Sequence, residues 1–515
     1  MRIQLSEHFT YKKLLFFSFP TIAMMIFTSI YSIVDGFFVS NYVGKTAFAA
    51  VNLIMPYLMI QGCFGFMIGT GGAALVAKTL GEKKREAANR YFTMLICFTV
   101  ALGVLISAIS ILFMRPIVRF LGAEGAMIQE CMTYGIIMSA FNAAFMLQYF
   151  FQSFFVVAEK PNLGFGITVA AGLTNIILDA LFIAVFRFGV AGAAVASGIG
   201  QCVGGVLPLF YFARKQEGAE DSVRDCGMDR MPGEKAKKDA DNRAAGKALL
   251  EDESGRRPAD KAYLEDEEGQ HPAAGRLQKK DPGKRLFRNT SLLRLTRTKM
   301  EAGTLLRACG NGSSELMSNI SASIVGMLYN FQLMKYAGEN GIAAYGVVMY
   351  TQMIFFAIYI GYAVGTSPIV SYHYGAGNHG EMKSLLKKSL LLMAGTGIVM
   401  MLLAQASASV LSGIFVGYDE ELLAVTEHAF VIFACSYLLS GINIYASSFF
   451  TALNNGAVSA VVSFMRTLVF QTGAVLILPL ILGIDGIWWA VTVSEVMACL
   501  ISSAFLVAKR KKYHY

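Results

Sequence analysis

Residues 48–77 read FAAVNLIMPYLMIQGCFGFMIGTGGAALVA, with no charged side chain among them. Residues 342–372 read IAAYGVVMYTQMIFFAIYIGYAVGTSPIVSY, again without charge. A helix needs about 20 apolar residues to cross the roughly 30 Å hydrocarbon core of a bilayer, and both stretches have length to spare. They are also related to each other. Ala49-Ala50 and Ala343-Ala344, Met55 and Met349, and Gly71 and Gly365 all stand 294 residues apart. The same offset joins Gly44 to Gly338, Gly81 to Gly375, and the pair Gly189, Gly192 to Gly483, Gly486. Agreement at one offset along so much of the chain marks a duplicated scaffold.

Working outward, residues 14–34, 91–114, 131–157, 163–186 and 190–213 are similarly poor in charge, as are 316–334, 389–418, 429–465, 467–484 and 486–508. The 429–465 run is too long for one span; Asn454, Asn455 and Gly456 predict a turn between two helices. The expectation is an all-α polytopic membrane protein with about twelve transmembrane helices in two parallel-repeat six-helix bundles. The chain is 55% hydrophobic and 15% charged with a mean hydropathy of +0.52, against roughly 25% charge in soluble domains. Lys12 and Lys13 precede a long apolar run with no small-residue cleavage site after it, so the first span is expected to be retained.

The domain reading is an N-lobe over 1–213, a charged cytoplasmic linker over 214–303 that is largely disordered, and a C-lobe over 304–515 ending in a basic tail. Within the linker region, 288–306 reads as an interfacial amphipathic helix. The net charge of +9 is a topology signal rather than a nucleic-acid surface. Lys12-Lys13, Lys83-Lys84-Arg85, Lys160, Lys383, Lys387-Lys388 and the tail Lys509-Arg510-Lys511-Lys512 fall on one side, which the positive-inside rule makes cytoplasmic, together with both termini. The eight cysteines show no CxxC pair and predict neither a metal cluster nor a disulfide framework.

Acids inside a membrane cost about 2.5–3.5 kcal/mol on insertion scales and mark function by default. Asp35 lies about six residues before the loop at 41–46, Asp179 eight before Arg187, and Ser197 eight after Gly189, so the three share a depth. Tyr31 is one helical turn before Asp35 and Asn175 one turn before Asp179, each pair on one face. Two carboxylates, an amide oxygen and two hydroxyls suit a hard monovalent cation or a proton. The offset maps Asp35 onto Tyr329, Asn175 onto Val469, Asp179 onto Gly473 and Ser197 onto Val491. The acids are not duplicated with the scaffold, which places the ion site in the N-lobe alone. Glu315 is a candidate for substrate or a second ion, or a buried acid bonded to Asn319 or Ser314. Arg466 and Glu495 pair with each other or line a central cavity. Pro20 breaks a backbone bond in the first span and permits a bend.

VDGFFVSNYVGKTAFAAVNLIMPY (34–57) and GTGGAALVAKTLGEKKREAAN (69–89), echoed by AGENGIAAYGVVMY (337–350) and SYHYGAGN (371–378), resemble the MATE (multidrug and toxic compound extrusion) transporters across both halves but not the linker. The resemblance implies an inverted-V pair of lobes exporting cationic, amphipathic drugs in exchange for H⁺ or Na⁺, with no cofactor and no metal beyond Na⁺ at the coupling site. It also implies a monomer in the bacterial plasma membrane. Pro20, Tyr31, Asp35, Asn175 and Asp179 match the pattern of the prokaryotic DinF-like branch, with Ser197 where a threonine is common and Gln152 where an asparagine is. Glu315 resembles the seventh-span acid of other branches. A lipid-linked saccharide flippase of the wider superfamily would need a basic cavity, and intramembrane Lys and Arg are sparse. No HExxH, GxSxG or acid pair in a long outer loop argues for an enzyme.

Overall fold

The computed structural model describes residues 3–43, 45–125, 127–214, 291–417 and 419–515; most of the 214–303 linker, and the 288–290 part of the expected amphipathic helix, lie outside them. Among the described residues every regular element is helical. The N-lobe runs α1 (Tyr11–Phe38), α2 (Lys45–Gly81), α3 (Arg85–Leu112), α4 (Met127–Ala140), α5 (Asn142–Val157), α6 (Pro161–Asp179) and α7 (Gly189–Ala213). In the C-lobe one long helix, Ala302–Gly375, is broken by non-helical backbone at Gly338, so we treat it as α8 (302–337) and α9 (Asn340–Gly375). After these come α10 (His379–Val416), α11 (Glu420–Ala434), α12 (Tyr437–Ala452), α13 (Gly456–Phe464), whose span continues in further helical turns to Leu482, and α14 (Ile484–Tyr513).

Nine of the described helices are long and apolar enough to span a bilayer singly, and two bent pairs, α4–α5 (57°) and α11–α12 (47°), bring the count to eleven. The twelfth predicted span, α8, is diluted by Asn311, Ser313, Ser314, Glu315, Ser318 and Asn319; the repeat offset sets it against α1. The duplication is visible in the backbone itself. The break at Phe141 falls on Cys435, and Gly189 and Gly483 share a left-handed φ of 61°, where only glycine is unstrained. The predicted turn at Asn454–Gly456 is present. Asn454 has φ 55°, and the Asn455 side chain caps α13 by accepting from the Val458 N–H.

The two lobes meet through α1, α2, α8 and α9. Lipid offers apolar side chains no reason to leave it, so helices associate in membranes where small residues let backbones approach. A methyl group on Gly81 would overlap the Tyr372 carbonyl oxygen, and one on Gly375 would overlap that of Lys78. Lys78 and Tyr372 are themselves 294 residues apart, so this crossing of α2 and α9 lies on the pseudo-two-fold axis. The flanking crossings obey the same symmetry: Gly71 of α2 packs on Gly312 of α8, and Gly365 of α9 packs on Ser18 of α1.

Residues 291–301 correct one expectation. No helix forms before Ala302. The segment is extended and laid along the start of α3: Arg294 N–H donates to Asn89 Oδ1 at 3.0 Å, and Thr296 N–H to Thr93 Oγ1 at 3.0 Å. Leu293 is fully buried while Arg294 is exposed. The alternation of Leu with Arg and Thr suits an extended strap, and α3 supplies side-chain acceptors for its backbone N–H groups.

Candidate ion and substrate site

The N-lobe encloses a cavity of about 70 Å³, room for several waters at roughly 10–15 Å³ each. Its walls are helical faces. Thr28, Tyr31, Ser32 and Asp35 come from α1, Met55, Leu58 and Met59 from α2, and Asn175 from α6, while Ser197, Gly200 and Gln201 come from α7. Positions i, i+3, i+4 and i+7 share a helix face, which is why α1 contributes 28, 31, 32 and 35 together. Tyr134, Phe145, Gln148 and Tyr149 close the far wall from the bent α4–α5 pair. Among the described residues, no lysine, arginine or histidine lines the cavity.

The predicted cluster is assembled. Asn175 Nδ2 donates to Ser197 Oγ at 3.2 Å, and Ser197 Oγ donates to Asp35 Oδ1 at 3.4 Å. Asp35 is 5% exposed and Asp179 wholly buried. Asp179 does not reach the cavity surface; it stands behind the wall, with its carboxyl beside that of Asp35, and neither of its oxygens meets hydrogen-bond geometry with a described group. The Asn175 side-chain oxygen is likewise buried and unbonded. Tyr31 approaches Gln148 across the cavity. Asp179 directly precedes the π-helical turn Ala180–Val185, and Asp35 lies one helical turn before the π-helical turn Val39–Val43. Such turns widen a helix locally and recur at functional sites. The site therefore presents unfilled oxygen acceptors and two buried carboxyls with no basic partner, an arrangement that takes up protons or a small cation.

A family model, MatE, matches residues 20–181 and 316–474, one block in each lobe. The chain belongs to the MatE family. Its members are transporters and not enzymes. The multidrug export protein MepA of Staphylococcus haemolyticus is 20% identical over 503 residues, covering 97% of this chain and 94% of that protein. Among solved structures, a MATE protein in complex with MaL6 superposes with a TM-score of 0.80 at 18% identity, covering 99% of this chain and 98% of the other. An outward-facing multidrug resistance MATE transporter gives 0.79 at 18% identity, with the same coverage. At such identities the structures establish the shared fold.

The remaining candidates of this MatE chain lie elsewhere. Gln152 is buried on α5, one turn beyond Gln148, and does not line the cavity; the bend between α4 and α5 presents 145, 148 and 149 instead. Pro20 lies inside an unbroken α1, between Ser18 and Ile22, which pack on Gly365 and Gly361 of α9. Its missing N–H falls where α1 crosses the other lobe. Glu315 faces the N-lobe near Cys63 of α2. Asn319 Nδ2 donates to the Glu315 backbone carbonyl at 2.8 Å, and Ser314 Oγ lies 3.5 Å from Thr451 Oγ1, so neither neighbour bonds the carboxylate. Arg466 pairs with Glu495 through Nε–Oε1 at 2.9 Å and Nη2–Oε1 at 2.7 Å, and Asn443 Nδ2 donates to Glu495 Oε2 at 2.7 Å. The cavity residues Gln148, Gln201 and Tyr134 were not singled out from sequence. Gln201 is one turn after Ser197, and the same-face rule reaches it; Gln148 and Tyr134 depend on the helix bend.

Proposed function

We propose that this MatE protein is a secondary multidrug exporter that exchanges cationic, amphipathic compounds for H⁺ or Na⁺ by alternating access. The observation that carries the reading is the pair of neighbouring buried carboxyls, Asp35 on the wall of a cavity with no basic residue among its described lining and Asp179 directly behind that wall. Without a cation or proton, two such charges would stand desolvated and unpaired, which a membrane interior penalises heavily. Filling and emptying the site changes the net charge buried in the N-lobe, and an ion that binds one state of the lobes better than the other shifts their equilibrium by that difference. Tyr31 and Asn175 hold the oxygen cage, Ser197 bridges the two sides, and Pro20 lets α1 bend where it meets α9. Glu315, with its carboxylate unbonded at the lobe junction, supplies a counter-charge for an organic cation. The multidrug export named for the Staphylococcus relatives supports the same substrate class. The protein works as a monomer in the bacterial plasma membrane with both termini in the cytoplasm, as the basic loops require.

The test is reconstitution in liposomes with imposed pH and Na⁺ gradients. Efflux of a cationic dye follows one of the two gradients in the wild type and is lost in Asp179→Asn and in Asp35→Asn. Undiminished gradient-driven efflux in both variants would falsify the site.

A further inference from the structure

Residues 3–9 lead into α1 but are held by both lobes. Ile3, Leu5 and Phe9 are buried in the apolar core of the C-lobe, among Tyr362, Val370, Met382, Phe449 and Leu453. The Leu5 N–H donates to Glu159 Oε1 of the N-lobe at 2.8 Å. The Phe9 N–H donates to Glu381 Oε1 of α10 at 2.9 Å, and His8 Nδ1 lies 2.5 Å from Glu381 Oε2. Lys388 Nζ of α10 donates to the Phe9 carbonyl at 2.5 Å. One short strap thus ties an N-lobe loop to a C-lobe helix. The extended 291–301 segment is its counterpart: it leads into α8 of the C-lobe yet bonds along α3 of the N-lobe, with Leu293 in the N-lobe core. Each lobe's leading segment is gripped by the third span of the other.

We infer that residues 3–9 are a latch that holds the lobes together on the side of the basic loops, that must release when this side opens, and that His8 tightens when protonated. The bonds to Glu159 and Glu381 can coexist only while the two lobes are adjacent on this face, which also carries the Gly81–Tyr372 and Gly375–Lys78 backbone contacts. A contact made in one state and absent from the other biases the equilibrium between them. Histidine changes charge between pH 5 and 8. His8 is 66% exposed and Glu381 7%, so bulk protons reach the imidazole while its partner is held in place. The other titratable groups around this bond are Glu7, paired with Lys13 at 2.6 Å, His373 of α9, whose ring meets the Glu7 carbonyl, and Lys388 of α10. At the N-lobe end, Arg85 stands near Glu159. Protonating His8 turns a hydrogen bond between a neutral imidazole and the Glu381 carboxylate into one between opposite charges, which is stronger.

This inference rests on alternating access, and the experiment separates the two. Spin labels are placed on exposed sites of the same face, Glu86→Cys on α3 and Lys383→Cys on α10, in the full chain with native cysteines replaced, and distances are measured in nanodiscs. The long-distance population is expected to rise at least threefold in Glu381→Gln and on deletion of residues 2–9. It is also expected to rise in the wild type between pH 5.5 and 8, and to lose that pH response in His8→Gln, a surface change that leaves the fold intact. Two wild-type populations that ignore the strap variants overturn the latch alone. A pH response kept in His8→Gln overturns the role of His8. A single distance in the wild type under every pH, Na⁺ and dye condition overturns alternating access, and the latch with it.

Discussion

The N-lobe and the C-lobe share a backbone and differ in what they bury at its centre. Asp35, Asn175 and Ser197 of the N-lobe line a cavity with no base among the described residues. At the equivalent C-lobe positions Tyr329 is fully buried and stacked on Tyr345 with ring centres 5.0 Å apart, and Val491 packs in the same apolar cluster. At the equivalent centre the C-lobe instead holds a closed pair, and its other intramembrane acid, Glu315, lies at the lobe junction. Arg466 and Glu495 neutralise each other, with Asn443 completing the carboxylate. At the repeat offset Glu495 falls on Gln201, which lines the N-lobe cavity without charge. Both lobes place a π-helical turn beside their charged centre, at Ala180–Val185 after Asp179 and at Met465–Phe470 around Arg466. The same local device serves an unpaired acid in one half and a paired base in the other. Duplication fixed where a polar group can be housed; the later substitutions decided whether it is satisfied internally or left to bind something.

Breaking this asymmetry should produce the largest effect in transport. Asp179→Asn is expected to cut gradient-driven dye efflux at least tenfold. Gly473→Ala, at the equivalent C-lobe position with nothing within 4 Å of the added methyl, should leave it unchanged. Equal loss from the two would erase the functional distinction between the lobes. The C-lobe pair should show its difference in stability. Glu495→Leu leaves the partly exposed Arg466 guanidinium without its carboxylate partner and is expected to cost about 1–3 kcal/mol, read from the thermal midpoint in detergent. Adding Arg466→Met should recover most of it, since replacing a whole buried pair by apolar groups is close to neutral.

The symmetric part of the comparison can be sharpened at the α2–α9 crossing. Gly81→Ala and Gly375→Ala each force a methyl into a backbone carbonyl of the other lobe, with an expected cost of about 1–3 kcal/mol from overpacking. The two costs should agree; a mutation harmful at only one of the sites would show that the pseudo-two-fold axis does not carry equal load. The smallest effect is expected at the surface. The hydrogen bond from Lys13 holds the Glu7 carboxyl below its ordinary value of 4.5. Because the folded value is the lower one, the contribution is present above pH 4.5 and fades as pH falls through the depressed value. Glu7→Gln should cost no more than about 1 kcal/mol at neutral pH and nothing at pH 3, as measured by the thermal midpoint at the two pH values.

Much of the candidate site was legible because membrane acids are rare and helix faces repeat every turn. Asp35, Asp179 and Ser197 could be placed at one depth from loop distances, with Tyr31 and Asn175 one turn away on the faces of the two acids, and the structure brings Asp35, Tyr31, Asn175 and Ser197 onto one cavity. That Asp179 stands behind the wall depends on the rotation of α6, which spacing does not give. Gln152 lies off the cavity for a related reason: a 57° bend between α4 and α5 decides which turn of α5 meets it. The strap at 291–301 was misread because Leu, Arg and Thr in alternation fit either an interfacial helix or an extended segment. The side-chain acceptors of Asn89 and Thr93, some 200 residues earlier, settle it.

The sequence by itself determined the spans, the duplication and the restriction of the intramembrane acids to unequal halves. Apolar length, glycine spacing and charge are local properties, and a bilayer leaves a helix little choice but to follow them. Only the tertiary structure decided which charges are paired. Arg466 meets Glu495 from a different helix, Asp179 meets no base among the described residues, and residues 3–9 are held by both lobes. Those outcomes depend on helix rotation, on bends, and on contacts between segments hundreds of residues apart, none of which a linear pattern carries.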